Sequence, residues 1–118
     1  YEKHLSDMNN VKSIKMSSYC HRSSRHLYQI IVSLDEESTS SISLRDELMS
    51  WFYQNDIYPG VHYIDNTDYP MYKYAKGSCL RAHNYSDKLI TLPIHLRLSD
   101  SDILRVVDIL GAGIERFI

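Results

Sequence analysis

The chain has 118 residues, 43% of them apolar and 24% charged, with a formal net charge of −2 at neutral pH. That length supports one domain with a modest core and not two. The charge gives no broad attraction to nucleic acid or anionic membrane, and the longest apolar runs, such as Ile30-Ile31-Val32, are far too short to span a bilayer. No apolar signal region is visible at the N-terminus, so a cytoplasmic setting is expected, with Cys20 and Cys79 as reduced thiols and a disulfide between them as the alternative. Ten tyrosines are the compositional oddity; several fall between positions 53 and 74, and a tyrosine-rich surface suits an interface.

Tyr1 to Met8 reads as the tail of a helix, and residues 1–25 as that tail plus a linker. From His26 to Leu34 the pattern is a strand. Tyr28, Ile30, Val32 and Leu34 make an apolar face, and Leu27, Gln29, Ile31 and Ser33 a mixed one. The polar run Glu36 to Ser41 is a loop. Ser43 then caps a helix with Asp46 three positions on, and Leu44, Leu48, Trp51 and Phe52 form its stripe until Asn55-Asp56 ends it.

Ile57 to Ile64 is expected to be a second strand. Pro59-Gly60 interrupts it, because proline cannot donate to a central ladder. A turn-rich stretch, Asp65 to Pro70, follows. Ser78 is a candidate cap for a helix to about Leu89, then a short strand covers Ile90 to Leu92 and stops at Pro93. The last helix starts at Ser99 with Asp102 in its capping box; Ile103, Val106, Val107, Leu110 and Ile114 form its stripe, and Gly111 and Gly113 weaken its final turns. Helices alternating with few strands define an α/β or α+β fold, a small antiparallel or mixed sheet covered by helices.

Three stretches, in this order, resemble one family. The first is His26-Leu27-Tyr28 followed by Arg45-Asp46-Glu47-Leu48. The second is Asn55-Asp56-Ile57-Tyr58-Pro59-Gly60-Val61-His62-Tyr63. The third is Cys79-Leu80-Arg81-Ala82 leading to Leu92-Pro93-Ile94-His95 and Leu98-Ser99-Asp100-Ser101-Asp102. Together they resemble the C-terminal third of the DegT/StrS sugar aminotransferases, and Tyr1 to Leu5 fits the end of that family's interdomain helix.

The resemblance implies residues 1–118 as one small C-terminal domain, with the fold of that domain in fold-type-I pyridoxal phosphate (PLP) enzymes. It implies an enzyme that moves an amino group, usually from glutamate, onto a nucleotide-linked keto sugar for polysaccharide or antibiotic assembly. PLP would sit in the full-length enzyme, on a lysine of a large domain that is this chain's partner, within a homodimer. No cofactor-binding or catalytic residue is expected in this chain. Lysines 3, 12, 15, 73, 76 and 88 match no lysine motif of the family. The alternative is a stand-alone interaction module that kept the fold and lost the chemistry.

His62 and Tyr63 are the expected substrate contacts, since imidazole and phenol suit sugar hydroxyls and phosphates. Strand neighbours face opposite ways, which would leave one of the pair toward the cleft; the plain alternative is that Tyr63 packs in the core. After this pair, Ile64 to Tyr72 departs from the prolines and further histidine many relatives carry, so a different sugar is implied. Arg45 is the third expected substrate contact, because a cation in a helix's first turn implies a carboxylate or phosphate partner; a solvated surface arginine is the alternative. His26 and Tyr28 are expected in the core or at a domain interface, and His95 as a brace of its loop. Cys20, His21, His26, His62 and Cys79 match no zinc spacing, and Arg22 and Arg25 with His21 and His26 read as a solvated basic cluster.

Overall fold

A computed structural model describes residues 1–15, 18–19, 22–24, 26–33 and 43–117. Leu34, the loop expected at Glu36 to Ser41, and Cys20, His21 and Arg25 lie outside the described residues. The order of elements is α1 (Glu2–Leu5), β1 (Val11–Ser13), β2 (Tyr28–Val32), α2 (Leu44–Gln54), 3-10 turns at Asn66–Asp68 and Pro70–Ala75, α3 (Leu80–Ser86), β3 (Leu89–Leu92) and α4 (Asp100–Phe117). The three strands form one antiparallel sheet in the order β1-β2-β3, so the fold is α+β.

Alternation in β2 divides the sheet. Ile30 and Val32 are fully buried on the helix-covered face, together with Ile90 and Leu92 of β3. Leu44, Leu48 and Phe52 of α2 and Val106, Val107 and Leu110 of α4 complete that core. Trp51 belongs to the same helix but is only half-buried; its indole N–H donates to the Ile109 carbonyl at 2.9 Å and so ties α2 to α4.

The helix ends obey local chemistry. Asp102 N–H donates to Ser99 Oγ at 3.2 Å while the Asp102 carboxylate accepts from Ser99 N–H at 2.9 Å, a reciprocal capping box. The Ser43 hydroxyl accepts from Asp46 N–H at 3.3 Å, but the Asp46 carboxylate turns to Arg45 instead of closing the box. At the other end of α2, Asp56 N–H donates to Tyr53 O and Ile57 N–H to Phe52 O, with Asp56 at φ 55°. This is a Schellman stop, sealed by buried Ile57.

Gly113 has a packing reason that its helix-weakening character conceals. A Cβ there would lie 2.7 Å from both Leu48 Cδ2 and Trp51 Cδ1, so α2 and α4 meet closely only because the side chain is absent. The helix continues past it to Phe117.

Four expectations are corrected. Ile57–Ile64 is not a strand: only Gly60 pairs, through an isolated bridge to Thr91, because Pro59 has no N–H to offer and the chain bends at His62. The helix placed from Ser78 begins at Leu80, and Cys79 makes no side-chain cap. Strand β1 lies in the stretch read as linker, pairing Val11 with Val32 and Ser13 with Ile30. His26 lies before β2 and is exposed, bonded to Ser24 Oγ at 2.8 Å, so it is not a core residue.

Candidate functional site

The candidate site is the corner Ile57 to Thr67, which crosses the sheet's second face beside β3. It is built by alternating anchors and exposed residues. Ile57, Pro59, Asp65 and Thr67 are buried, whereas Tyr58 and Tyr63 are 71% and 70% exposed. The first anchor is the edge of β3: Gly60 N–H donates to Thr91 O at 2.9 Å, and Thr91 N–H to Gly60 O at 2.7 Å.

These bonds use the outward backbone groups of Thr91, so its cross-strand neighbour Gln29 is a non-hydrogen-bonded partner with the side chains close together. Both polar side chains then reach the same residue. The Thr91 hydroxyl lies 3.0 Å from His62 Nδ1, and the Gln29 amide donates to the His62 carbonyl. Gly60 supplies the floor: a Cβ on it would sit 2.7 Å from His62 Cε1, so only glycine lets the imidazole lie against the backbone. His62 is thus held by ring and carbonyl and remains half-exposed. Tyr63 stands edge-on to it, ring centroids 5.2 Å apart.

A second anchor holds the far side of the corner. Asp65, buried, accepts from Thr67 N–H at 2.9 Å and caps the following 3-10 turn. His83 of α3 stands between carboxylates, 3.7 Å from Asp65 and 3.7 Å from Asp87. Beyond, Tyr69, Met71, Tyr72, Tyr74 and Leu80 are all exposed.

Arg45 is placed differently. Its guanidinium donates to the Ser86 carbonyl at 2.5 Å and pairs with Asp46 at 2.7 Å, with only 14% of the side chain exposed. The partner that its unfavourable position demands is therefore in the chain itself, at the last turn of α3. Neither Tyr1 nor Tyr28 reaches the corner. Their rings lie 4.8 Å apart beside β1. Burial, with neighbouring Tyr28 adding to it, pushes the Tyr1 hydroxyl up to about 12, so it remains a donor to Pro93 O at 2.8 Å. Burial likewise raises Tyr28, opposed by its bond with Ser13. His95 does brace its loop, accepting from Arg97 N–H at 3.2 Å.

An open groove of about 300 Å³ lies elsewhere, between α2 and α4, lined by Asp46, Glu47, Ser50, Trp51, Gln54, Arg116 and Phe117. It contains no lysine, and the chain's lysines are exposed or half-exposed. A PLP site needs a shielded lysine amine and a carboxylate for the ring nitrogen, and the described residues do not assemble one. No group of three metal-ligating side chains gathers among the described residues, and Cys79 is a free, exposed thiol. No described helix is long and apolar enough to cross a membrane.

Comparison with known proteins places this helix-flanked antiparallel sheet in a family. The model of the DegT/DnrJ/EryC1/StrS aminotransferase family matches residues 1–111, so the chain belongs to that family. It corresponds to a C-terminal portion of such an enzyme. Among solved structures, the fold is similar to the aminotransferase TlmJ from Streptoalloteichus hindustanus (21% identity, TM-score 0.77, 99% of this chain and 29% of that one). It is also similar to the putative sugar aminotransferase Spr1654 from Streptococcus pneumoniae in its PMP form (21% identity, TM-score 0.80, 99% and 29%). A third is the sugar aminotransferase CalS13 from Micromonospora echinospora (17% identity, TM-score 0.71, 96% and 28%). The chain therefore spans less than a third of the length of these proteins. No curated protein matches it significantly.

Gln29 and Thr91 are the site residues that pattern reading missed. Their signal was present: each is a polar residue inside an otherwise apolar strand, at a position the sheet buries or half-buries.

Proposed function

We propose that residues 1–118 are the C-terminal small domain of a cytoplasmic, homodimeric, PLP-dependent aminotransferase acting on a nucleotide-linked keto sugar. The segment preceding β1 connects it to a large domain, which carries the cofactor lysine and performs the amino-group transfer. This chain supplies a wall of the substrate cleft. His62 and Tyr63 contact the sugar nucleotide, while Arg45 holds α2 against the end of α3 and so keeps the wall in shape.

The observation that carries this reading is the pinning of His62. Three separate features, the Thr91 hydroxyl, the Gln29 amide and the bare Gly60 backbone, fix a half-exposed imidazole beside an exposed phenol. A loop that only covered the sheet would not need its exposed edge immobilised. Preorganised polar groups on rigid elements are what ligand orientation requires. The exposed tyrosines from 69 to 74 extend the same surface and suit docking of the large domain.

The test uses the complete enzyme and separates its two half-reactions. Each of His62→Ala and Tyr63→Phe should lower kcat/KM for the keto-sugar acceptor by roughly ten- to hundredfold, the value of one hydrogen bond to a charged or polar ligand group. The glutamate half-reaction should be unaffected. Equal losses in both half-reactions, or none in either, would remove these residues from the acceptor site.

A further inference from the structure

The neighbours of His62 determine more than its position. Thr91 is 5% exposed, and among the described residues its hydroxyl makes one hydrogen bond, to His62 Nδ1 at 3.0 Å. A hydroxyl has one proton to give, and a neutral imidazole has one nitrogen that donates and one that accepts. If Nδ1 carried the proton, it would donate to Thr91 Oγ1, and the hydroxyl proton would be left in the sheet with no acceptor. If Nδ1 accepts, that proton is satisfied and only spare oxygen lone pairs remain. Stranded buried donors are penalised more than spare lone pairs. Among the described residues no second acceptor lies within hydrogen-bond reach of the Thr91 hydroxyl.

We infer that Thr91 is a positioning residue that holds neutral His62 in the tautomer with its proton on Nε2. The ring geometry turns Nε2 away from Thr91, and it makes no hydrogen bond within the described residues. His62 therefore presents a hydrogen-bond donor, and its ligand atom is an acceptor oxygen of a phosphate or an ionised or neutral sugar oxygen, not a donor group. The ligand half of this inference rests on His62 being a cleft residue; the tautomer does not.

Nitrogen-labelled protein, studied by long-range proton–nitrogen correlation at about pH 8.5, above the imidazole titration range, reads the tautomer directly. Wild type and Thr91→Ser should both show Nε2 protonated and Nδ1 bare. Thr91→Val should move the two His62 nitrogens toward each other as the tautomers mix. Protonated Nδ1 in wild type, or Thr91→Val with unchanged nitrogen shifts, overturns the assignment; if the valine variant fails to fold, wild type and the serine variant decide it. The ligand half is read in the complete enzyme. His62→Gln, whose amide nitrogen can replace Nε2, should retain at least tenfold more acceptor kcat/KM than His62→Asn, whose amide mimics Nδ1. Equal activities for the two variants overturn the donor assignment without touching the tautomer.

Discussion

Alanine at Gly113 and alanine at Gly111 should change stability in opposite directions, although only Ala112 separates the two positions on α4. Either change removes the backbone freedom of a mid-helix glycine from the unfolded chain, a gain of about 1 kcal/mol. At Gly111 the new methyl meets only the flexible tip of Met8, at 3.4 Å, so most of the gain should survive. At Gly113 it would lie 2.7 Å from Leu48 Cδ2 and 2.7 Å from Trp51 Cδ1. Leu48 is fully buried, and the indole is fixed by its bond to the Ile109 carbonyl, so neither side can yield cheaply. Overpacking of this kind costs about 1–3 kcal/mol, and two rigid contacts place it in the upper part of that range. Gly113→Ala should therefore be net destabilised by about 1–2 kcal/mol, a fall of roughly 5–10 °C in Tm, while Gly111→Ala rises by a few degrees. Urea denaturation followed by the fluorescence of Trp51, the chain's single tryptophan, reports on this seam directly. A Gly113→Ala protein as stable as wild type, or more so, would refute the close approach of α2 and α4.

Other outcomes follow from the remaining contacts. The hydrogen bonds from the Ser99 hydroxyl and backbone hold the Asp102 carboxyl below its ordinary value of 3.8, so its cap favours the fold above that pH and is lost as pH falls through the depressed folded value. Ser99→Ala should return Asp102 toward 3.8 in a carbon-detected titration and fray the start of α4. Arg45→Met should cost about 1–2 kcal/mol, because it strips a charged donor from the Ser86 carbonyl, whereas the exposed pair with Asp46 contributes little; chemical denaturation measures both. Incubating the chain alone with PLP, an amino donor and borohydride should give no stoichiometric adduct at a single lysine by mass spectrometry; one such adduct would mean a cofactor site that the exposed lysines do not suggest.

Much of the scaffold was readable from the amino acids because it is specified locally. The capping serines at 43 and 99, the stop at Asn55-Asp56 and the stripes of α2 and α4 all depend on residues within a turn or two of one another. Strand β1 was hidden because Val11–Ser13 is too short to display a period. Ile57–Ile64 misled for the opposite reason: its composition is strand-like, but the prolyl nitrogen and the pinning of His62 by residues 29 and 91 limit it to one bridge. Arg45 shows the same limit. Its helical position signalled a carboxylate or phosphate partner, yet the folded chain brings it the Ser86 carbonyl, 41 residues away. Local rules revealed that a group needed a partner, and long-range packing decided which one it received.

The chain's membership of the DegT/DnrJ/EryC1/StrS family makes the facing of its corner the point on which the functional account turns. A crystal structure of the complete enzyme with its nucleotide sugar bound measures this directly. The account predicts His62 Nε2 within hydrogen-bond distance of a ligand oxygen, with Tyr63 lining the same cleft. A ligand bound away from residues 57–67, with that corner open to solvent, would contradict it.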